Sequence, residues 1–257
     1  MDETQATTNR HPIQRVRRET RRRTLTVAAV ERLTPRMQRI VFASPDLHDF
    51  ASDAPDDHVK LFVPDATAPQ GVAARDYTPR SFDRAAGRLV VDFALHDAGP
   101  ATLWAMRARP GDTLQIGGPR GSAVVPDDFD YYLLIGDETA LPAIGRRLEE
   151  LRPGAPVTTV VTLDGPEDEQ TFRTATQWRP IWVHRDGACD EAALLRAALA
   201  DWRAPAGDGF VWIATEAMAA RAIKEHMIAD RGHPKEWLKA AGYWIKGEAG
   251  ATIRLES

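Results

Sequence analysis

From Arg88 to His96 the chain alternates, placing Leu89, Val91, Phe93 and Leu95 on one side of an extended segment. Short β-rich runs recur at 25–30, 37–42, 58–63 and 112–117, separated by Pro, Gly and Asp. Many short strands at this spacing suit a sandwich or a small antiparallel β-barrel. One short helix is expected among them, over 101–107, stopped by Pro110-Gly111.

Beyond about residue 130 the period changes. Tyr131-Tyr-Leu-Leu-Ile135 is a continuous apolar run, and Leu141, Ile144, Leu148 and Leu151 then share one helical face. Strands follow at 157–163, 181–184 and 210–214, with helices at 190–202 and from Glu216 to Arg231, the last ended by Gly232. Strands alternating with helices predict a parallel sheet covered on both faces. The chain therefore divides into an antiparallel β-barrel domain over 20–127 and a doubly wound α/β domain over 128–257, meeting near Pro126. Residues 1–19 are polar and aperiodic. With seven arginines and one glutamate between Arg10 and Arg23, they are expected to form a disordered basic tail, or an arm that touches an anionic partner. No internal repeat is present.

Composition narrows the chemistry. The net charge of −4 over 257 residues excludes a nucleic-acid binder on charge alone. Cys189 is the single cysteine, so neither an internal disulfide nor a cysteine-ligated iron–sulfur cluster can form. Redox chemistry would need a bound organic cofactor. No run of 18 apolar residues exists to span a membrane, and the start of the sequence lacks the apolar region of a signal peptide. A cytoplasmic protein is expected, with a monomer favoured. Of the 33 basic residues five are lysines (60, 224, 235, 239 and 246), leaving 28 arginines. Each lysine position is therefore worth locating.

Three stretches carry candidate chemistry. Gly136-Asp-Glu-Thr-Ala-Leu-Pro142 joins a strand to a helix at the edge where doubly wound sheets bind ligands. It lacks the G-x-G-x-x-G fingerprint, and its two carboxylates would repel a pyrophosphate, so a plain capped helix start fits equally well. Arg75-Asp-Tyr-Thr-Pro-Arg-Ser81 offers two guanidinium forks for phosphate, an aromatic ring for a heterocycle and a hydroxyl for its edge, or else a strand-entry loop with solvated arginines. His96 to Trp104 runs from a strand into a short helix. Gly99 there permits close backbone approach, and the helix start at Ala101-Thr102 is a potential anion site.

Taken in order, Asp57-His-Val-Lys-Leu61, Arg75 to Arg80, Val91-Asp-Phe-Ala-Leu-His96, Gly99 to Ala105, Pro110-Gly-Asp112, Gly118-Pro-Arg-Gly-Ser122, Gly136 to Ile144, Trp182-Val-His-Arg185 and Gly242-Tyr-Trp244 resemble the siderophore-interacting proteins. These are flavin-dependent ferric-siderophore reductases of the ferredoxin-reductase-like superfamily. The resemblance runs from about Thr24 to Gly247. It implies a flavin-binding barrel and a nicotinamide-binding α/β domain. FAD would be held by Arg75, Tyr77, Thr78, Arg80, Asp92, His96, Gly99, Ala101 and Thr102, with Thr139 at the flavin–nicotinamide junction. Gly136, Asp137, Glu138, Thr139 and Ala140 would receive NADPH or NADH, with Glu216 and Arg221 nearby and Arg185 placed to meet a 2′-phosphate. Lys60, Arg120 and Lys246 would draw an anionic ferric siderophore into a substrate pocket. The iron would arrive inside its chelator, so no protein metal site is expected. The chain departs from the family in having Ala214-Thr215-Glu216 where Ala-Gly-Glu is frequent, and Ile245-Lys246 where arginine often follows Tyr-Trp. A general flavin reductase or diaphorase, and a siderophore-binding protein without activity, are the alternatives to a ferric-siderophore reductase.

Overall fold

The computed structural model describes residues 10–96, 99–187, 190–248, 250 and 252–255. After a short first strand, β1 (Gln14–Arg17), the N-terminal half contains β2 (Arg22–Thr34), β3 (Met37–Ala43), β4 (Val59–Pro64), β5 (Val72–Tyr77), β6 (Ser81–Asp83), β7 (Arg88–Ala94), α1 (Pro100–Arg107), β8 (Thr113–Gly117) and β9 (Gly121–Val124). Seven of these strands form a curled antiparallel sheet in the order β5-β4-β8-β2-β3-β7-β6. Register shifts in β2 between Val27 and Ala29 and between Arg32 and Thr34 bend that strand, so its two halves serve different neighbours. The alternation expected at 88–96 holds, since Leu89, Val91 and Phe93 are fully buried with Phe42, Leu61 and Ile116. Burial of each such side chain contributes on the order of 1.5–3 kcal/mol. The α1 helix covers this core with Ala101 and Ala105.

The second half contains β10 (Tyr131–Asp137), α2 (Leu141–Glu150), β11 (Pro156–Leu163), β12 (Gln177–His184), α3 (Glu191–Leu199), β13 (Gly209–Glu216), α4 (Ala217–Glu225), β14 (Leu238–Trp244) and β15 (Ile253–Leu255). Its sheet runs β12-β11-β10-β13-β14-β15, parallel except for β15. Every residue of β10 is buried. Tyr132 and Leu134 pack toward α2, while Tyr131, Leu133 and Ile135 pack toward α3 and α4. Strand order reverses between β10 and β13, which creates a crevice at their carboxyl ends. The last two strands were not predicted. The buried positions of β14 include Ala240 and Gly242, too small to mark a strand by hydrophobicity.

The expected tail needs correction. Residues 1–9 lie outside the described residues, but the chain from Arg10 onward is built into both domains. The β1 strand pairs antiparallel with β9, Gln14 opposite Val124 and Arg17 opposite Gly121. His11 is 8% exposed, stacked on Phe129 at 4.0 Å and hydrogen-bonded to Asp128 at 2.7 Å and Asp208 at 3.2 Å. A basic composition does not reveal that one imidazole finds a ring and two carboxylates.

Several buried contacts join the domains. Arg80 forks onto Glu149 of α2 at 2.6 Å through both Nη atoms. Arg146 donates to Ser52, Trp212 donates to Asp56, and Thr34 donates to Asp168. The barrel is thereby fixed against α2, the middle of β13 and the segment after β11.

Candidate functional site

Tyr77 ends β5 with its ring 4.5 Å from that of Phe93 on β7. Burial pushes its phenol far above the ordinary range, with Arg75 pulling weakly the other way. The chain leaves β7, passes exposed His96 and enters α1, whose N-cap, Gly99, supplies no side-chain bond. Thr102, in the first turn, is 3% exposed, and its Oγ1 has no partner in the described structure. A Cβ on Gly99 would lie 3.9 Å from both His96 Cε1 and Thr102 Oγ1, so glycine leaves this cradle open. Ala101 is buried beneath it. Arg75 makes no ion pair among the described residues, its Nη1 donating only to the neighbouring Ala74 carbonyl at 2.9 Å. Free helix N–H groups, an orphaned buried hydroxyl and an uncommitted guanidinium fit the pyrophosphate of a flavin dinucleotide, with Tyr77 on the ring side.

Two other residues expected to contact FAD are engaged within the protein. Arg80 is 6% exposed and committed to Glu149. Asp92 is 4% exposed and accepts both arms of Arg39 at 2.7 and 2.8 Å. Both Nη atoms of Arg80 are thereby occupied, while its Nε has no hydrogen-bond partner among the described residues. Thr78 stands at the domain junction, hydrogen-bonded to Tyr243. Burial raises the Tyr243 phenol well above its ordinary range, and that hydrogen bond opposes the shift.

The switch-point crevice is built around Asp137. Its fully buried carboxylate accepts from the Thr139 amide at 2.9 Å, Thr215 Oγ1 at 2.9 Å and Trp244 Nε1 at 2.8 Å, with the Thr139 hydroxyl as a fourth donor. Asp137 thus shapes the loop from within. Gly136 is required by packing, since a Cβ there would stand 2.5 Å from Ala140 Cβ and 2.6 Å from the Ala214 carbonyl. Glu138 faces Arg185 at 2.6 Å. Burial and neighbouring Asp137 push its carboxyl up to about 7 against the pull of Arg185. Arg185 also holds Asp164 at 2.8 Å and Glu191 at 3.0 Å. The guanidinium expected to meet a 2′-phosphate thus stands among three carboxylates. Glu216 caps α4 through the Met218 and Ala219 amides at 2.7 and 3.1 Å, while Arg221 is exposed on that helix.

The three expected substrate cations differ in setting. Lys60 is opposite Asp76 on β5 and bonds it at 2.8 Å, with its side chain 42% exposed. Alternation places that pair on the face opposite Arg75 and Tyr77. Lys60 also pairs in register with Gly117, three residues before exposed Arg120. Lys246 is exposed in the turn after β14, its amide donating to Glu216 at 3.4 Å. A separate cleft of about 340 Å³ lies on the domain seam and includes Ser52, Arg80, Arg146 and Glu149. It contains neither Tyr77 nor Asp137. Sequence reasoning missed Glu149, Arg39, Glu191 and Asp164, because charged partners carried on other elements leave no local motif.

Residues 129–247 match the siderophore-interacting protein family, and residues 26–73 and 68–123 match the siderophore-interacting FAD-binding domain. The chain is 39% identical to the NADPH-dependent ferric-chelate reductase of Escherichia coli K12, covering 92% of this chain and 98% of that one. A siderophore utilization protein from T. fusca superposes with a TM-score of 0.85 at 36% identity, covering 94% and 98% of the two chains. The siderophore-interacting protein SipS from Aeromonas hydrophila superposes with a TM-score of 0.78 at 28% identity, covering 89% and 93%.

Proposed function

The chain belongs to the siderophore-interacting protein family, and we propose that it reduces ferric siderophores with electrons from NADPH or NADH, using FAD held in the barrel domain. The observation that carries this reading is the open cradle of Arg75, Gly99 and unpartnered Thr102 beside Tyr77. Arg75 and the α1 N-terminus would hold the pyrophosphate, His96 would donate at its margin, and Tyr77 would support the ring. FAD held by these residues would supply a centre able to accept a hydride and release its two electrons singly.

The rest of the work falls to positioning. Thr78 and Tyr243 fix the barrel edge against β14, and Asp137 holds Trp244 and Thr139 in place beside it. The loop from Gly136 to Ala140 would receive the nicotinamide nucleotide. Hard oxygen donors hold Fe(III) far more tightly than Fe(II), so one electron loosens the chelate. Lys60, Arg120 and Lys246 would attract an anionic ferric complex, with Lys60 partly neutralised by Asp76. No helix among the described residues is long and apolar enough to cross a membrane. The reading places a monomer in the cytoplasm, where reduced nicotinamides are available.

The test is direct. Purified protein should take up FAD, turn yellow and bleach on addition of reduced nicotinamide. With a ferric catecholate present it should then release Fe(II) to a ferrous-specific chelator. A protein that takes up no FAD overturns the reading.

A further inference from the structure

Around Arg185, at the carboxyl ends of β11 and β12, the structure collects more acid than base. Arg185 binds Glu138 at 2.6 Å, Asp164 at 2.8 Å and Glu191 at 3.0 Å. The other oxygen of Asp164 holds Arg36, from the turn between β2 and β3, at 2.8 Å, and Arg36 also faces Asp168 at 3.6 Å. Four carboxylates against two guanidiniums leave a formal charge of −2. Glu191 reaches inward to Thr162 and Thr215, so the cluster borders the switch-point crevice itself.

Asp164 directly follows β11, the strand beside β10. In dinucleotide-binding sheets an acidic side chain at about this place accepts a hydrogen bond from the ribose 2′-hydroxyl, whereas a 2′-phosphate needs an available arginine. Here both arginines are held by carboxylates. A 2′-phosphate, carrying −1.5 to −2 charges like other phosphomonoesters, would have to displace Asp164 from two guanidiniums and then lie among the remaining acids. A hydroxyl needs only to donate to Asp164, which is 35% exposed. Repulsion of the pyrophosphate is common to both nucleotides and cancels in the comparison.

We propose that the acidic enclosure of Arg185 makes this chain select NADH over NADPH, with Asp164, Glu138 and Glu191 as the specificity-determining residues. The inference rests on the nicotinamide reading given above. It sets this chain apart from the E. coli relative, whose name specifies NADPH. Because the Glu138 carboxyl is raised to about 7, its charge and its share of the repulsion fall as pH drops below neutrality. Asp137, Asp164, Asp168, Glu191, Arg36 and Arg185 also face this region.

The experiment is calorimetric titration of the full, FAD-loaded chain with NAD⁺ and with NADP⁺ at low salt, which reads binding without turnover. NAD⁺ should bind roughly tenfold or more tightly than NADP⁺, as expected for a phosphate set against one unscreened charge at this range. Added salt should narrow the ratio. Asp164→Asn and, separately, Glu138→Gln should each shift it toward NADP⁺ by roughly tenfold. The two variants lie on different elements, so the loss of one fold leaves the other to decide. NADP⁺ binding as tightly as NAD⁺, or a ratio unmoved in both variants, overturns the selection. If neither nucleotide binds, the nicotinamide reading fails and the inference falls with it.

Discussion

Arg75 and Arg80 lie five residues apart in one segment, yet their surroundings give them different work. Arg75 has no ion pair among the described residues, while Arg80 is buried against Glu149. Arg75→Ala should therefore weaken FAD binding by about 1.5–3 kcal/mol, the worth of a charge-assisted contact, and leave the melting temperature of the flavin-free protein nearly unchanged. Arg80→Ala should do the reverse, costing about 3 kcal/mol of stability by stranding a carboxylate at the domain seam. Parallel FAD titrations and thermal melts read both. Thr102→Val separates ligand binding from folding in another way. The valine removes a buried hydroxyl that has no partner, so FAD affinity should fall by about 1 kcal/mol while the flavin-free melting temperature holds or rises. A drop in that melting temperature would mean the hydroxyl has a structural partner. At this scale the sequence announced residue types well and their pairing poorly. The motif containing Arg75, Tyr77 and Thr78 is local, but Glu149 pairs with Arg80, Arg39 with Asp92, and Glu191 with Arg185 and Thr162 only through the folded backbone.

Among the elements, α1 and β1 show what periodicity can and cannot disclose. The α1 helix was legible because Pro110-Gly111 stops it and a strand with clear alternation precedes it. The β1 strand was hidden in a run of arginines that read as solvated. Its anchor is His11, where burial disfavours the charged ring but hydrogen bonds to Asp128 and Asp208, together with their charges, outweigh it and raise the pKa above 6.5. A group whose pKa is raised on folding contributes stability that is complete below its unfolded value and is lost as pH rises through the folded value. His11→Gln should thus destabilise the protein by about 1–3 kcal/mol near pH 6, and the gap from wild type should narrow by pH 8 to 9. Chemical denaturation across that range measures it. A gap that widens with pH would show that the ring is neutral in the fold.

At the scale of the whole molecule, the division into an antiparallel barrel and a doubly wound sheet was readable from the change of period near residue 130. The crevice at the reversal of strand order followed from that topology. The way the halves lock together was not readable. Contacts such as Arg80–Glu149, Arg146–Ser52 and Thr34–Asp168 join residues 69 to 134 positions apart. That lock sets Thr78 of the barrel beside Tyr243 of β14, and in the proposed reading the two domains share one site there. The central claim is electron transfer through that composite site, and its most direct measurement is the rate of Fe(II) appearance under anaerobic conditions. The mixture holds protein, one equivalent of FAD, reduced nicotinamide and a ferric catecholate, compared with the same mixture lacking protein. The account predicts Fe(II) formation that depends on the protein and falls sharply in Arg75→Ala at limiting FAD. Fe(II) forming no faster than with free FAD alone would contradict it.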